Sequence, residues 1–277
     1  MRLREAGVAV RSRLEHAGIP DAALEAECLV RAASGATREA YFAGAEAAPA
    51  ALLELDKLVA RRLAREPLAY ISGEREFYGL TFGVNSAVLI PRPETELLVE
   101  LALGYLELTP GATVVDAGTG SGCIAVSIEA NRSTKGRTAG TDISAAATAV
   151  AHANAHRHGA DVTFVRGSLL APIRHADLVV ANLPYVPSDE VDALEPELRD
   201  WEPRLALDGG ARGTTLIHEL IDDCATRRVT SRLLLEVAYG QADEVAAYAR
   251  ERGGEVTVHR DLAGIDRVVE VRWASGL

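Results

Sequence analysis

The segment Asn182-Leu183-Pro184-Tyr185, which follows the apolar run 178–181, contains residues whose types could do chemistry together. The carboxamide oxygen of Asn182 and a neighbouring backbone carbonyl can accept hydrogen bonds from both N–H groups of a planar amide or aromatic amine. Such a hold would orient the nitrogen for attack and stabilise the positive charge that develops on it. Tyr185 could stack on the flat acceptor group and exclude water. The alternative is an ordinary Asn-Pro turn after a buried strand.

A glycine-rich turn follows the predicted strand 112–117. It consists of Gly118, Thr119, Gly120, Ser121 and Gly122. Glycine lets the backbone turn sharply and lie against a ligand, at a place where a Cβ would collide. Asp142 ends the next predicted strand, and its carboxylate can accept hydrogen bonds from both hydroxyls of a ribose. The turn and the acid together predict a nucleoside-binding crevice at the carboxyl ends of two neighbouring strands.

Three interpretations of the glycine turn are open. A purely structural turn is one. A dinucleotide site is another, but its fingerprint has a third glycine three positions after the second, where this chain has Cys123. Alternating glycines after the acid Asp116 resemble instead the first motif of the class I S-adenosylmethionine-dependent methyltransferases. That resemblance implies that 118–122 and Asp142 bind S-adenosylmethionine, and that the nitrogen held at 182–185 accepts a methyl group.

The elements that must position these residues change in character along the chain. Helical apolar spacing over residues 1–67 predicts a small helical domain. Strand-type residues broken by glycines over 68–92 predict a β-hairpin linker that includes Tyr70 and Ile71. Residues 93–277 alternate strand and helix and end in two strand-type runs. This predicts an α/β fold with a doubly wound, mostly parallel seven-stranded sheet and an antiparallel C-terminal hairpin.

Composition excludes several classes of protein. The chain has 277 residues, 48% of them hydrophobic and 25% charged, which is typical of a globular protein. The net charge of −11 disfavours a protein that mainly grips phosphate backbones. The three cysteines are widely spaced and predict neither a disulfide framework nor a metal site. Without a signal peptide or an apolar run of membrane-spanning length, a cytoplasmic protein is predicted.

Most of the chain resembles one methyltransferase family, the release-factor glutamine methyltransferases of the PrmC/HemK type. The arginine-containing runs Arg92-Pro93-Glu94-Thr95-Glu96 and Glu202-Pro203-Arg204-Leu205-Ala206-Leu207 are the most specific part of the likeness. The other matching runs are 67–73, 77–80, 89–91, 116–122, 142–144, 182–185, 208–210 and 260–264. The N-terminal helices match only loosely.

The resemblance implies an activity and a partner. The family transfers a methyl group from S-adenosylmethionine to the side-chain amide of the glutamine in the Gly-Gly-Gln loop of class 1 peptide-chain release factors, proteins of translation termination. The helical domain would help to hold that protein substrate, and 182–185 would hold the glutamine. Arg92, Glu94 and Thr95 would form the floor of the site, although salt bridges that only fix the linker explain Arg92 and Glu94 equally well. No metal, membrane or direct nucleic-acid partner is expected, and a monomer is favoured.

Three positions depart from the family pattern. Leu183 stands where the family has the first proline of Asn-Pro-Pro-Tyr; it still offers a backbone carbonyl, and Pro184 still favours extended geometry there. Ser168 replaces a common acid near the adenine, and Leu169 replaces a larger side chain. We expect Ser168 and Leu169 to contact the cofactor in an altered way. These changes are compatible with a paralogue that acts on another amide.

Further functions are therefore open. A methyltransferase for adenine in nucleic acid would use an Asn-x-Pro-Tyr segment in the same way. It would also need a basic groove, whereas the segment 190–202 is acidic. A small-molecule N-methyltransferase fits the departures from the motif but not the helical N-terminal domain. A scaffold that binds the cofactor without turnover is the non-enzymatic alternative.

Overall fold

The computed structural model of the chain describes residues 1–274. In chain order the helices are α1 (Leu3–His16), α2 (Ala22–Ser34), α3 (Arg38–Phe42), α4 (Pro49–Leu63), α5 (Leu68–Ser72), α6 (Glu96–Leu108), α7 (Cys123–Asn131), α8 (Ala145–His158), α9 (Pro196–Arg199), α10 (Thr215–Arg227) and α11 (Ala242–Glu251). The strands are β1 (Glu74–Phe77), β2 (Leu80–Gly83), β3 (Thr113–Ala117), β4 (Arg137–Asp142), β5 (Val162–Arg166), β6 (Leu178–Ala181), β7 (Arg232–Glu236), β8 (Glu255–Arg260) and β9 (Asp266–Arg272). These residues form two compact units, 1–74 with 195–201, and 75–194 with 202–274.

The first unit is a helical bundle around its own apolar core. Leu14 of α1, Leu29 of α2 and Val59 of α4 are fully buried there. Helix α9 belongs to this unit although it lies more than a hundred residues further along the chain. Its Glu197 accepts hydrogen bonds from Arg62 at 3.0 Å and from Arg65 at 3.1 Å. Since the Arg62 side chain is buried, this ion pair is shielded from water and holds α9 in the bundle.

The second unit is built on a seven-stranded sheet with the strand order β5-β4-β3-β6-β7-β9-β8. The pairs among β5, β4, β3, β6 and β7 are all parallel, and β9 pairs antiparallel with both β7 and β8. The predicted fold class, including the antiparallel C-terminal pair at the sheet edge, is confirmed.

Both faces of this sheet are covered, which explains the unbroken apolar runs of the central strands. Along β6, Leu178 and Val180 point into the core formed with α6, α7 and α8, whereas Val179 and Ala181 point into the core formed with α10 and α11. All four residues are buried. The central strands are thus fixed from both sides, and their carboxyl ends are presented at one edge.

The segment 68–92 differs from its predicted structure. Tyr70 and Ile71 lie in the short helix α5, not in a strand, and only β1 and β2 form the two-stranded sheet. Ile71 is buried in the core of the helical bundle, so packing against α2 and α4 outweighs the β-propensity of these residues. Val88 and Ile90 are buried without belonging to a strand. The division of the chain at residues 67 and 92 stays a prediction.

None of the helices within residues 1–274 is both long and apolar enough to cross a membrane.

Candidate active site

The carboxyl ends of the parallel strands surround a cavity of about 210 Å³ in the second unit. Most of the residues singled out in the sequence line it. They are Arg92, Thr95, Gly118, Thr119, Gly120, Ser121, Asp142, Ser168, Leu169, Asn182, Leu183 and Pro184. Three other candidates, Glu94, Gly122 and Tyr185, are not among its lining residues. The predicted nucleoside turn and the predicted amide-holding segment thus share one cavity.

Gly118 is the first residue of the turn after β3 and has a φ of +77°. Its N–H and that of Thr119 both donate to the carbonyl of Thr141 on β4, at 2.9 and 2.8 Å. A Cβ added at Gly118 would lie 2.9 Å from Cδ2 of Leu183. The backbone conformation at position 118 therefore favours glycine, and an added Cβ would force the Leu183 side chain to shift.

The last two residues of the turn, Ser121 and Gly122, pack against helix α8. Gly122 has a φ of +80°, and a Cβ there would lie 3.0 Å from the Cβ of Ala151 on α8. The carbonyl of Ser121 accepts a hydrogen bond of 2.8 Å from the buried side chain of Asn154, which also bonds to both backbone groups of Gly83 on β2. Gly122 is thus a packing residue of the loop, and the hairpin β1–β2 supports the turn through Asn154.

Asp116, the acid before the turn, is completely buried on β3. Its Oδ2 accepts a hydrogen bond of 2.7 Å from the Thr119 hydroxyl and one of 3.3 Å from the Ala125 N–H. Its Oδ1 has no hydrogen-bond partner among the described residues. Burial raises the pKa of this carboxyl to about 7, although both hydrogen bonds favour the charged form. Asp116 therefore ties the turn to the start of α7 from inside the core.

Asp142 lies at the end of β4, where it joins the turn to the next helix. Its Oδ2 accepts from the Gly120 N–H at 2.9 Å, and its Oδ1 accepts from the Ser144 N–H at 2.8 Å. Each carboxylate oxygen keeps a further lone pair for a ligand. Since Asp142 lines the cavity, it can accept from a pair of neighbouring hydroxyls, as predicted for a ribose.

The segment after β5 forms an apolar wall of the cavity. Leu169 has a φ of +45°, which is rare for leucine, and its carbonyl accepts a hydrogen bond of 2.7 Å from the Thr141 hydroxyl. Ser168 precedes it, and Ile143 on the same cavity keeps 52% of its surface exposed. A flat apolar ring could lie against Ile143 and Leu169.

Asn182 follows β6, and its side chain is anchored. Its Nδ2 donates a hydrogen bond of 3.0 Å to the hydroxyl of Thr95, which is buried just before α6. Leu183, the residue that departs from the family motif, is 2% exposed, and its side chain packs against Gly118 of the glycine turn.

Tyr185 is partly buried, and its carbonyl accepts a hydrogen bond from Gln241 Nε2 at 3.0 Å. Burial also raises the pKa of Tyr185 to about 12, so this residue is a neutral phenol at neutral pH.

Arg92 and Glu94 differ in their surroundings. Arg92 Nη2 donates to the buried Glu202, whose other oxygen accepts from the Ile90 N–H at 3.2 Å. This arrangement fixes the segment before α6, while Arg92 still lines the cavity. Glu94 is exposed. The geometry favours a structural part for Arg92 and gives Glu94 no contact with the cavity.

Glu236, at the end of β7, is a buried acid near Thr95 that sequence reasoning missed. It is 2% exposed, and burial raises its pKa to about 7, opposed by the nearby Thr95 hydroxyl and by Arg267. The signal was present in the sequence. A glutamate ends the apolar run Leu233-Leu234-Leu235, at the same edge of the sheet as Asp142 and Asn182.

Comparisons with known proteins identify the fold and the family of the chain. A family model described as the PrmC N-terminal domain matches residues 5–73, and one described as the methyltransferase small domain matches residues 94–197. Two similar solved structures share the fold at low identity. The hMettl16 catalytic domain has a TM-score of 0.59 at 13% identity, covering 79% of this chain and 83% of that one. A methyltransferase from Pyrococcus furiosus has a TM-score of 0.53 at 15% identity, covering 77% and 96%.

Full-length relatives are much more similar. Proteins named release factor glutamine methyltransferase are 41% identical in Geobacter sulfurreducens, over 94% of this chain and 92% of the relative, and 42% identical in Moorella thermoacetica, over 96% and 97%. The protein of that name from Deinococcus radiodurans is 36% identical over the whole of both chains. Both family models and the full-length relatives lead to one conclusion: the chain belongs to the release factor glutamine methyltransferase family.

Proposed function

We propose that this methyltransferase uses S-adenosylmethionine to methylate the side-chain amide nitrogen of the glutamine in the Gly-Gly-Gln loop of class 1 peptide-chain release factors, in the cytoplasm. One observation carries the proposal. The glycine turn with Asp142 and the segment beginning at Asn182 line the same cavity, so a nucleoside-bearing donor and an amide acceptor can lie side by side. The names of the full-length relatives support the choice of acceptor.

The residues on the donor side of the cavity fit S-adenosylmethionine. Gly118 and Gly120 have positive φ and leave backbone surface open to a ligand. Asp142 would accept from the ribose hydroxyls, and Ile143 with Leu169 would cover the adenine. When bound, S-adenosylmethionine supplies a methyl group carried on a positively charged sulfur.

On the acceptor side, this chain has to hold a poorly nucleophilic nitrogen in place. The Asn182 Oδ1 and the Leu183 carbonyl would accept the two N–H groups of the glutamine amide, which directs its nitrogen and stabilises the charge that develops there. The nitrogen gives up one proton to solvent once its bond to the methyl carbon has formed, so no buried base is needed. Pro184 borders the cavity, and Tyr185, the next residue, would stack on the acceptor amide.

The remaining roles follow from the same proposal. The helical unit, which the PrmC N-terminal model matches, would hold the body of the release factor. Leu183 is compatible with the function, because a leucine offers the same backbone carbonyl as a proline. Its side chain is buried and packs against the glycine turn.

The proposal is tested with S-adenosylmethionine that carries a labelled methyl group and a purified class 1 release factor. We expect label on the wild-type factor and none on a factor in which the Gly-Gly-Gln glutamine is alanine. Asn182→Ala provides the matched enzyme control, since it removes the acceptor oxygen and leaves Asp142 and the glycine turn intact. Label on the alanine factor, or none on the wild-type factor, would refute the proposed acceptor.

A further inference from the structure

Gln241 joins the segment 182–185, here called the acceptor segment, to the turn that follows β7. Its Nε2 donates a hydrogen bond of 3.0 Å to the Tyr185 carbonyl, and its Oε1 accepts one of 3.0 Å from the Ala238 N–H. Both partners are backbone groups, so the first can only accept and the second can only donate. The carboxamide of Gln241 therefore satisfies both partners in one orientation only.

The place of Gln241 in the chain does not explain these two bonds. It is the residue just before α11, where a side chain commonly accepts a hydrogen bond from the first turn of the helix. The side chain of Gln241 makes no such bond to the described residues of α11, and its backbone carbonyl accepts from the Val245 N–H at 3.0 Å. The side chain is used instead to bridge the turn and the acceptor segment.

The space around the Tyr185 carbonyl is tight. A Cβ added at Gly213, which has a φ of +71°, would collide with this oxygen and would lie 2.8 Å from Gln241 Nε2. The nitrogen of the same peptide group is also held, since the Val186 N–H donates to the Leu207 carbonyl at 3.0 Å. This peptide group is thus bonded at both its oxygen and its nitrogen, and the chain leaves room for that arrangement.

The acceptor segment is stiff, because a proline lies within it. The ring of Pro184 fixes its own φ at about −65° and restricts Leu183 to extended geometry. Each peptide group is planar as well, so few bonds between these residues can rotate. A displacement of the Tyr185 carbonyl is therefore passed on in large part to the Leu183 carbonyl. At its other end the segment is held by the bond from Asn182 Nδ2 to Thr95 Oγ1.

We propose that Gln241 is a positioning residue for methyl transfer: through the Tyr185 carbonyl, it keeps the acceptor segment in the conformation in which the Leu183 carbonyl accepts from the methyl-acceptor amide. The inference rests on the proposed function, because it assigns one N–H of the substrate to that carbonyl. Gln241 is not among the described residues that line the cavity, so it acts through the segment and not by contact with the substrate. Without its hydrogen bond, the segment samples other conformations and the substrate amide is held less often.

Kinetics on a release factor provide the first test. Gln241→Met keeps the length of the side chain and removes both of its hydrogen bonds. We expect it to lower kcat by ~3- to 10-fold, with the KM for the release factor and the Kd of S-adenosylmethionine each changed less than about twofold. Gln241→Met with the kcat of the wild type would refute the positioning role.

A matched control removes the same kind of bond elsewhere in the same unit. The carboxamide of Asn131, at the end of α7, donates to the Ser127 carbonyl at 2.9 Å. Asn131→Ala therefore also deprives a backbone carbonyl of a carboxamide donor, but outside the acceptor segment. We expect its kcat to stay within about twofold of wild type. Equal losses in Asn131→Ala and Gln241→Met would contradict the proposal.

A second variant can regain the donor by protonation, which separates positioning from damage to the fold. In Gln241→Glu, an ionised carboxylate can still accept from Ala238 but brings only lone pairs to the Tyr185 carbonyl. The protonated carboxyl donates to that carbonyl and reproduces the bonds of the glutamine. Partial burial and the facing carbonyl disfavour the charged form, so the pKa of this carboxyl should lie above its ordinary value of about 4.3.

The activity of Gln241→Glu relative to wild type should therefore rise as the pH falls. We expect a rise of at least about threefold between about pH 8 and about pH 6, and a constant ratio for Gln241→Met. Glu244, one turn further along α11, and its partner Arg212 at 3.1 Å are present in every variant, so their effect on activity cancels in the ratio. A constant ratio for Gln241→Glu would overturn the proposal.

A measurement without any release factor distinguishes failure of the positioning role from failure of the proposed function. Leu183-Pro184 is the only Leu-Pro pair in the sequence, so ¹³C-carbonyl leucine combined with ¹⁵N proline isolates the Leu183 carbonyl resonance by NMR. In Gln241→Met we expect this resonance to shift and the Val186 N–H to exchange with water at least about threefold faster than in wild type. Asn131→Ala should change neither signal.

The two possible failures then give different results. Unchanged signals in Gln241→Met would refute the positioning role even if release factors are methylated. Changed signals, together with a wild type that methylates no release factor, would support the positioning of the acceptor segment and refute only the proposed substrate.

Discussion

Gly118→Ala perturbs the contact between the glycine turn and Leu183, which joins the proposed donor and acceptor sides of the cavity. Gly118 has a φ of +77°, and an added Cβ would lie 2.9 Å from Cδ2 of Leu183. The new methyl group therefore has two effects, a strained backbone and a collision. The leucine is 2% exposed and borders the cavity, so its Cδ2 would have to shift to make room.

Each effect has a rough magnitude. A non-glycine residue in left-handed geometry costs about 1–2 kcal/mol. Overfilling a packed interior costs roughly a further 1–3 kcal/mol. Gly118→Ala should thus lower the free energy of unfolding by about 2–5 kcal/mol in total. Gly111→Ala is the matched control, since Gly111 has a φ of +88° but no atom within 4 Å of an added Cβ. It should lose only the strain, about 1–2 kcal/mol.

The assay is urea unfolding of the wild type and the two alanine variants, with S-adenosylmethionine affinity measured on each. We also expect Leu183→Ala to be less harmful in the Gly118→Ala background than in the wild type, by about 1–2 kcal/mol, because it removes the atom that collides. Two results would refute the reasoning: equal losses for Gly118→Ala and Gly111→Ala, or additive losses in the double variant.

Three more predictions concern the carboxylates and the amide. Asn182→Ala should abolish methyl transfer yet leave the S-adenosylmethionine Kd within a few-fold of wild type by calorimetry; normal turnover would eliminate the acceptor role. Asp142→Ala removes the acceptor of the Gly120 and Ser144 N–H groups, so it should weaken S-adenosylmethionine binding by at least about tenfold, and an unchanged Kd would contradict the assigned ribose contact. Asp116 has its pKa raised by burial to about 7, above its value of 3.8 in the unfolded chain, so its contribution to stability is lost as the pH rises between these values. Asp116→Asn should gain stability relative to wild type by on the order of 2–3 kcal/mol between pH 5 and pH 8, measured by urea unfolding, and a difference independent of pH would argue against a buried neutral acid.

Much of the sheet could be predicted from sequence, because its signals are local. The apolar run 178–181 is followed at once by Asn182, and the run 112–117 by glycines, so strand and functional loop are read together. The same holds for Asp142 at the end of β4. Parallel pairing then places these three loops at one edge.

The errors and omissions lie where distant residues decide the structure. Tyr70 and Ile71 are strand-type residues, but they lie in the short helix α5, where Ile71 packs in the helical core. Glu197 of the acidic segment 190–202 is bonded to Arg62, 135 residues earlier in the chain. Because of this ion pair, at least one acidic side chain of the segment has a structural part and is not simply exposed to solvent.

Glu236 was missed for the same reason, because distant residues determine its surroundings. Thr95 lies 87 residues before Asn182 in the chain, and Glu236 lies at the end of another strand. Their relation to the acceptor site depends on how α6 is placed beside β6 and β7. No local pattern encodes that placement, although an acid at the end of a buried strand is a feature that a reader of the sequence could single out.

The central claim is that the cavity transfers a methyl group to a glutamine side-chain amide. The most direct test is a fragmentation mass spectrum of the Gly-Gly-Gln peptide from a release factor treated with the enzyme and S-adenosylmethionine. The account predicts one added methyl group, located on the glutamine side chain, and none when Asn182→Ala replaces the wild-type enzyme. A methyl group on any other residue, or an unmodified glutamine after wild-type treatment, would contradict it.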